Sequence, residues 1–358
     1  MSPAARLRQV RLIAGLQLRR VFLARRSLWV YGLALFPALI FFGHGVEITM
    51  NRAAYAKNVT APHLIDSLRE GDTADAVLLR AGEPVSDRTR QGRTRDNGDE
   101  IPERRYMTYH DGKSSWQLRF DAGLLVRKDE RVASDFGDDR SVFAGVFQYF
   151  YLRLGVFFGC LGIFMNLFRG EMLDKTLHYW FLAPARRDIL LLGKYVAGMV
   201  AATTIFTFGA GLCFLVMLWP QEPSELAAFW PDPGLSHLFW YCAATVLGCV
   251  GYGSVFLAAG VLLRNPIVPA AALLFWESIN GFLPAMLQKV SILYYVQALT
   301  PVPVPLEDDA PLFIQLLMRP AAPPSTLVAV LGLLIVTAFV LWAAAAASRG
   351  IEIDYGTD

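Results

Sequence analysis

The chain has 358 residues, of which 54% are apolar and 18% charged, with a formal net charge of +2. The apolar residues gather in long runs, which excludes a single water-soluble domain and places the chain in the polytopic membrane class. The four cysteines (Cys160, Cys213, Cys242 and Cys249) all fall inside apolar runs and read as small buried hydrophobes rather than disulfides or metal ligands.

Residues 1–26 form a basic cytoplasmic segment. Seven arginines stand between residues 4 and 26 with no acidic residue, and Leu7, Val10, Ala14, Leu18 and Val21 recur at helical spacing. Two readings stand side by side: an amphipathic helix at the anionic inner lipid surface, and a topology signal with no further role. Phe22 is the one aromatic among the arginines, too little for a base-stacking pattern, which argues against a nucleic-acid-binding arm. The apolar run that follows is long enough to span a bilayer, so a cleaved leader is not expected. The first span is predicted over Ser27–Val46, kinked at Pro37, with its start cytoplasmic because of the arginines before it.

Residues 47–140 hold about half of the chain's charges in nearly balanced signs, as a water-soluble insertion would. Pro62–Arg69 and Thr73–Ala81 have helical character, with Asp72 or Thr73 as N-cap and Gly82 as a stop. Arg104–Tyr109, Trp116–Phe120 and Leu124–Arg127 carry strand formers, joined by turns at Asp111–Gly112 and Asp121–Ala122–Gly123. The expectation is a small extracytoplasmic α+β domain, two helices and a three-stranded meander, with Ser86–Glu100 as a flexible loop. The pattern Leu68-x-x-Gly71-x-Thr73-x-x-x-Val77 with Gly82-x-Pro84, Tyr106, Tyr109 and Leu118-x-Phe120-Asp121-x-Gly123 resembles the SmpA/OmlA-like lipoprotein domains, which are interaction modules of outer-membrane assembly. No function is carried over from that resemblance.

Further spans are predicted over Ser141–Phe168, Ile189–Trp219, Leu235–Leu263, Ile267–Gln288 and Thr326–Ala347. Gly155-x-x-x-Gly159 and the small residues Ala244, Gly248, Gly251, Gly253 and Gly260 suit close helix packing. Arg153 lies several residues inside the second span, where snorkelling is the default and a place on a substrate path the sharper reading. Arg264–Asn265–Pro266 is read as a minimal inner turn. Residues 289–325 are broken by Pro301, Pro303, Pro305 and Pro311, and so form a surface-lying or re-entrant outer segment rather than a span. Residues 348–358 are an inner tail. The fold class is therefore an all-α polytopic membrane protein with six transmembrane helices. Both termini are cytoplasmic, and the α+β domain is inserted between the first and second helices.

Between the second and third spans lies Arg169–Lys194, a polar connector. It is read as a short amphipathic helix over residues 171–182, a turn at Ala183–Pro184 and a new helix from about Arg186. Glu171, Thr176, Leu182, Pro184, Arg186, Leu190, Gly193 and Lys194 resemble the connector of type-2 ATP-binding-cassette (ABC) permeases. Met172 and Leu173 stand before Asp174 where that family usually has a second acidic residue. The resemblance implies that this segment is a coupling helix seated in a separate ATPase subunit. It implies contact residues Glu171, Asp174, Thr176, Leu177, Leu182 and Pro184, anchoring by Arg186 and Arg187, and a helix end fixed by Gly193 and Lys194. It further implies an exporter of the bacterial inner membrane, built from two permease halves (identical or paralogous) and two ATPases.

No phosphate cradle is present: Gly193–Lys194 lacks the remainder of a Walker loop, so ATP and Mg would be bound by the partner chain. There is no His-Glu-x-x-His, and no metal, cofactor or catalytic residue is expected in this chain. Ser254 in Gly251-Tyr252-Gly253-Ser254 lacks the following glycine of a nucleophile elbow and reads as helix packing. Glu277, at mid-depth of the fifth span, faces either a helix interface, with Ser278, Asn280 or a dimer mate as partner, or the translocation path. The rival to the transport reading is a membrane-anchored sensor or assembly scaffold that works through residues 47–140. On the transport reading that domain would dock a periplasmic or surface protein or serve as a lid.

Overall fold

The computed structural model describes residues 3–23, 28–94, 100–101, 103–173, 186–263, 267–280, 283–303 and 323–348. Two compact units are present. One comprises residues 1–41, 140–218 and 223–358, the other residues 42–139 with 219–222.

The first unit is a helical bundle. Its elements are α1 (Pro3–Leu23), the start of α2 (Leu28–Tyr55), α5 (Phe136–Gly145), α6 (Phe157–Leu173), α7 (Arg187–Leu218), α8 (Pro223–Phe229), α9 (Leu235–Leu262), α10 (Ile267–Ile279), α11 (Ala285–Gln288), α12 (Ile292–Gln297) and α13 (Thr326–Ser348). Val146–Val156, between α5 and α6, is π-helical. Among the described residues five helices are long and apolar enough to cross a membrane: Leu28–Tyr55, Phe136–Leu167, Arg187–Leu218, Pro223–Leu262 and Thr326–Ser348. The expected fifth span, Ile267–Gln288, is not one continuous helix. Its first part, α10, has 13 residues, about 20 Å of rise against a hydrocarbon core of about 30 Å. Pro284 then stands as N-cap of the short α11, because its ring cannot continue a helix from the preceding residues. The predicted turn at Arg264–Pro266, residues 304–322 of the outer segment and the tail 349–358 lie outside the described residues.

The bundle closes around aromatic side chains set into helix backbones. Phe164 of α6 fills a notch on two helices at once. A Cβ on Gly198 of α7 would stand 2.6 Å from its ring, and one on Gly253 of α9 would stand 2.5 Å from it. Of the expected Gly155/Gly159 pair, only Gly159 serves packing, with a Cβ position 2.0 Å from the ring of Phe206. The basic helix α1 corrects one expectation. Most of its predicted stripe beyond Leu7, which is exposed, is turned onto protein, for Val10 packs with Ile13, Ile189 and Leu190, and Ala14 and Val21 are buried. Leu12, Leu16 and Leu23 form a second, exposed stripe, 60–72% accessible.

The second unit is an α+β domain. Its elements are α3 (Pro62–Asp66), α4 (Ala74–Ala81), β1 (Ser86–Arg90), β2 (Arg93–Thr94), β3 (Glu100–Ile101), β4 (Arg104–His110), β5 (Ser114–Asp121) and β6 (Leu124–Val132). The main sheet is antiparallel in the order β1-β4-β5-β6, and β2 pairs with β3. Thr73 caps α4 through its side chain, and Gly82 ends it with φ +82°. Met107, Tyr109, Leu118, Phe120 and Leu125 of the sheet close on Ile65, Leu68, Val77 and Ala81 of the helical layer.

Ser86–Glu100 is the misread segment. Instead of a loop it supplies an edge strand, β1, paired with β4 from Ser86↔Thr108 to Arg90↔Arg104. Its sequence, Ser-Asp-Arg-Thr-Arg, has no apolar alternation because neither of its faces is buried. It is held by the ladder and by Asp87, whose carboxylate takes two bonds from Arg105 Nε and a third, of 2.6 Å, from Nη2.

At the other hairpin Asp111 accepts from Lys113 N (2.8 Å), Ser114 N (2.6 Å) and Trp116 Nε1 (2.8 Å). Residues 42–55, 133–139 and 219–222 are joined by a further cluster. Nearly buried Asp139 accepts from Gln221 Nε2 (2.6 Å) and lies 3.1 Å from His44 Nε2, and Arg52 Nη1 donates to the Pro220 carbonyl.

Two carboxylates of this domain have lowered pKa values. The Arg105 hydrogen bonds hold Asp87 below the usual carboxylate range. At Asp111 burial opposes the effect, but the Trp116 and backbone hydrogen bonds outweigh it. Each contributes stability that is present above the unfolded-state value of about 4 and is lost as pH falls through the lower folded value. Acid titration followed by circular dichroism should therefore show loss of this domain's sheet signal at higher pH in Asp111→Ala than in the parent chain. For the bundle, Gly253→Leu should abolish the monodisperse peak in detergent size-exclusion chromatography, since overpacking costs about 1–3 kcal/mol or more. Gly211→Leu, where nothing lies within 4 Å, should leave that peak intact.

Candidate functional site

Two groups of sequence-predicted residues can be followed to their surroundings: the ends of the inner connector and the polar residues inside the bundle. Of the connector, Asp174, Thr176, Leu177, Leu182 and Pro184 lie outside the described residues. Glu171 belongs to the last turn of α6. The other end is well defined. Arg186 pairs with Asp188 at 3.1 Å, and its carbonyl accepts from Ile189 N and Leu190 N, opening α7.

Arg187 reaches the far end of the chain's last described helix, donating from Nη1 to the Ser348 carbonyl at 3.2 Å. A cation at a helix C-terminus is favoured by the partial negative charge of its unpaired carbonyls. Gly193 is a contact point for α1: a Cβ there would sit 2.7 Å from Ile13 Cγ2 and 3.4 Å from the Val10 carbonyl oxygen. Lys194 is fully buried and donates from Nζ to the Leu167 carbonyl of α6. Its ammonium ties α6 to α7 within the bundle.

The intramembrane residues are also held by backbone. Glu277, on α10, is 1% exposed. Its carboxylate accepts from the backbone N–H of Ile292 at 3.0 Å and from the Ser291 hydroxyl. Ser291 is the N-cap of α12 and itself accepts from Tyr294 N at 3.2 Å. Glu277 thus completes the cap of a helix that follows a proline-broken stretch, supplying an anion where the N–H groups of the first turn converge.

Arg153, within the π-helical stretch, is near enough to act electrostatically on Glu277 and lies 5.7 Å from the ring of Tyr149. Arg153 Nε, Tyr252 Oη and Asn280 Oδ1 are buried atoms with no hydrogen-bond partner among the described residues. Reading from sequence missed two partners of this region. Ser291 looked like one more outer-loop serine. Gln148, which donates from Nε2 to Thr300 Oγ1 and to the Val302 carbonyl, both at 3.0 Å, looked like one polar residue in an apolar run. No group of three or more His, Cys, Asp or Glu able to hold a metal ion exists among the described residues.

The chain matches no protein-family model, no curated protein and no solved structure.

Removal of the Glu277 side chain should open the α12 cap and strand buried N–H and hydroxyl groups, at about 1–3 kcal/mol each. Glu277→Ala should therefore lower the melting temperature of the detergent-solubilised chain clearly. Glu277→Gln, which keeps one carbonyl oxygen for the Ile292 N–H, should lower it by less than half as much.

Proposed function

We propose that the chain is the membrane-spanning half of an ABC exporter of the bacterial inner membrane, with both termini cytoplasmic. On this reading it pairs with a second permease half, identical or paralogous, and is driven by a separate ATPase that binds ATP and Mg. The six-span topology belongs to the same proposal, with α10 and the short helices after it as the fifth crossing.

The observation that carries the reading is the way both sides of residues 174–185 are tied. Lys194 holds α7 to α6 at Leu167, Gly193 seats α7 against α1, and Arg187 holds α7 to the end of α13. A load applied to a connector so tied cannot be dissipated in loose helix ends. It would pass to α6, α7, α1 and α13 together, which is what a docking segment needs in order to convert ATPase closure into a rocking motion of helices. In this mechanism Glu171, Asp174, Thr176, Leu177, Leu182 and Pro184 meet the ATPase, and Arg186 is the basic residue left at the rim. The exposed stripe Leu12, Leu16 and Leu23 of α1, with the helix's arginines beside it, suits the anionic inner leaflet. Glu277, Arg153 and Asn280 border the route or the interface between halves.

The sensor or scaffold reading draws on a different observation, namely that residues 42–139 have a closed core of their own. Purification in mild detergent separates the two. The transporter reading expects an ATPase subunit to accompany the chain. Glu171→Lys and Leu182→Asp should each release at least about 90% of it, a loss of about 1.4 kcal/mol or more, with the thermal unfolding of the permease unchanged. Full retention of ATPase in both variants, or its absence from the parent complex, would discard the docking assignment.

A further inference from the structure

The register of the main sheet sets its side chains on two faces. One holds the core with Met107, Tyr109, Leu118 and Phe120. On the other, the pairs Arg88↔Tyr106, Tyr106↔Arg119 and Arg119↔Arg127 form one continuous cross-strand row over all four strands. The next row adds Arg90↔Arg104 and Arg104↔Asp121. Two of these pairs set arginine directly opposite arginine. Side chains so placed have Cβ atoms about 5 Å apart, and like charges there are destabilising.

The internal counter-charge is sparse. Asp121 stands 3.6 Å from both Arg104 Nε and Arg119 Nε, outside hydrogen-bond distance of either, and Asp129 is taken by Arg127 at 2.7 Å. Arg88 and Arg90 are exposed and make no ion pair among the described residues. A further row on the same face, Ser86↔Thr108 and Thr108↔Gln117, carries hydroxyls and an amide.

We infer that this face is a binding site for an acidic glycan, a chain of sugar rings bearing carboxylates. Guanidinium groups at strand spacing match carboxylates repeated along a polymer, and planar two-point hydrogen bonding to carboxylate is what arginine does best. Tyr106, half-buried between Arg88 and Arg119, supplies an aromatic surface for a sugar ring. Ser86, Thr108 and Gln117 supply partners for ring hydroxyls. A lipid surface is a poorer occupant, because β6 offers two exposed aliphatic residues, Leu124 and Val126, set among arginines and not repeated on the other strands as an insertion stripe. An anion also removes the arginine–arginine repulsion that the register creates, so ligand binding and sheet stability are coupled. The inference does not rest on ATPase docking and holds for an anchored sensor as well as for a transporter.

The test uses the full chain in phosphatidylcholine nanodiscs, titrated with oligogalacturonate, neutral dextran, polyglutamate and, separately, phosphatidylglycerol vesicles. Oligogalacturonate should bind saturably at about 50 mM salt and be displaced at about 500 mM, as expected for exposed charges. The triple variant Arg88→Gln/Arg90→Gln/Arg127→Gln should weaken that binding about tenfold or more, the loss of a few charge-assisted contacts. Arg69→Gln, outside the sheet, should not. Tyr106→Leu keeps the charges and should erase the preference for oligogalacturonate over polyglutamate. Dextran binding as well as the acidic glycan, polyglutamate binding equally to the parent chain, binding confined to the vesicles, or full affinity in the triple variant would each overturn the assignment.

Discussion

A lysine ammonium buried in a helical bundle must be answered from inside the protein, and Lys194 donates to the backbone carbonyl of Leu167. Desolvating a charge costs several kcal/mol, and it persists only when a partner of opposite polarity is fixed in place. The contact therefore sets more than its own geometry. It fixes how the first turns of α7 lie against α6, and so the span that residues 174–185 must close. Gly193, one residue earlier, admits α1 to the same place because it has no Cβ. Two adjacent residues thus hold three helices at one level of the bundle.

A backbone partner recurs at two further charges of the helical unit. Arg187 is bonded to the Ser348 carbonyl, and Glu277 to the Ile292 N–H. In both cases the backbone group belongs to a helix terminus, the end of α13 and the first turn of α12. Helix ends are where unpaired backbone groups concentrate, and in an apolar surrounding they are the strongest dipoles on offer. A side-chain charge and an unsatisfied terminus each carry a desolvation cost alone, and together each removes the other's. This accounts for the helix that starts at Ile292: the chain can begin a helix there because Glu277 and Ser291 supply what the new first turn lacks.

Much of this was legible in the sequence, and the failures have identifiable causes. The apolar runs gave the long helices because hydrophobic length is a direct physical requirement of spanning. The Asp111–Gly112 and Asp121–Ala122–Gly123 turns were legible because positive φ restricts residue choice, and Ala122, Gly112 and Gly123 do adopt it. The strand Ser86–Arg90 was not, because an edge strand with no buried face carries no alternation. The orientation of α1 was misread because its two apolar stripes are alike in composition and only tertiary contact tells which is covered. Glu277 stood out as a charge in an apolar run, but its partner did not. Ser291 is fourteen residues away, beyond a proline, and nothing local marks it as a cap.

If these charges are bonded to backbone groups of neighbouring helices, the parts of the helical unit that can move are constrained. Separating Lys194 from Leu167, or Glu277 from α12, would break a buried charge-assisted hydrogen bond in a medium that does not replace it, at about 1–3 kcal/mol or more per event. Motions that keep these pairs together avoid that cost. The favoured displacements are therefore of whole bodies: α6, α7, α1 and α13 as one, and α10 with α12 as another, sliding at contacts that are purely apolar, such as Phe164 of α6 against Gly253 of α9. Apolar contacts between rigid helices repack with little net loss, since each exchanges one set of dispersion partners for another. The polar ties would define the moving pieces and the glycine-lined aromatic contacts the surfaces between them, whichever force is applied to the bundle.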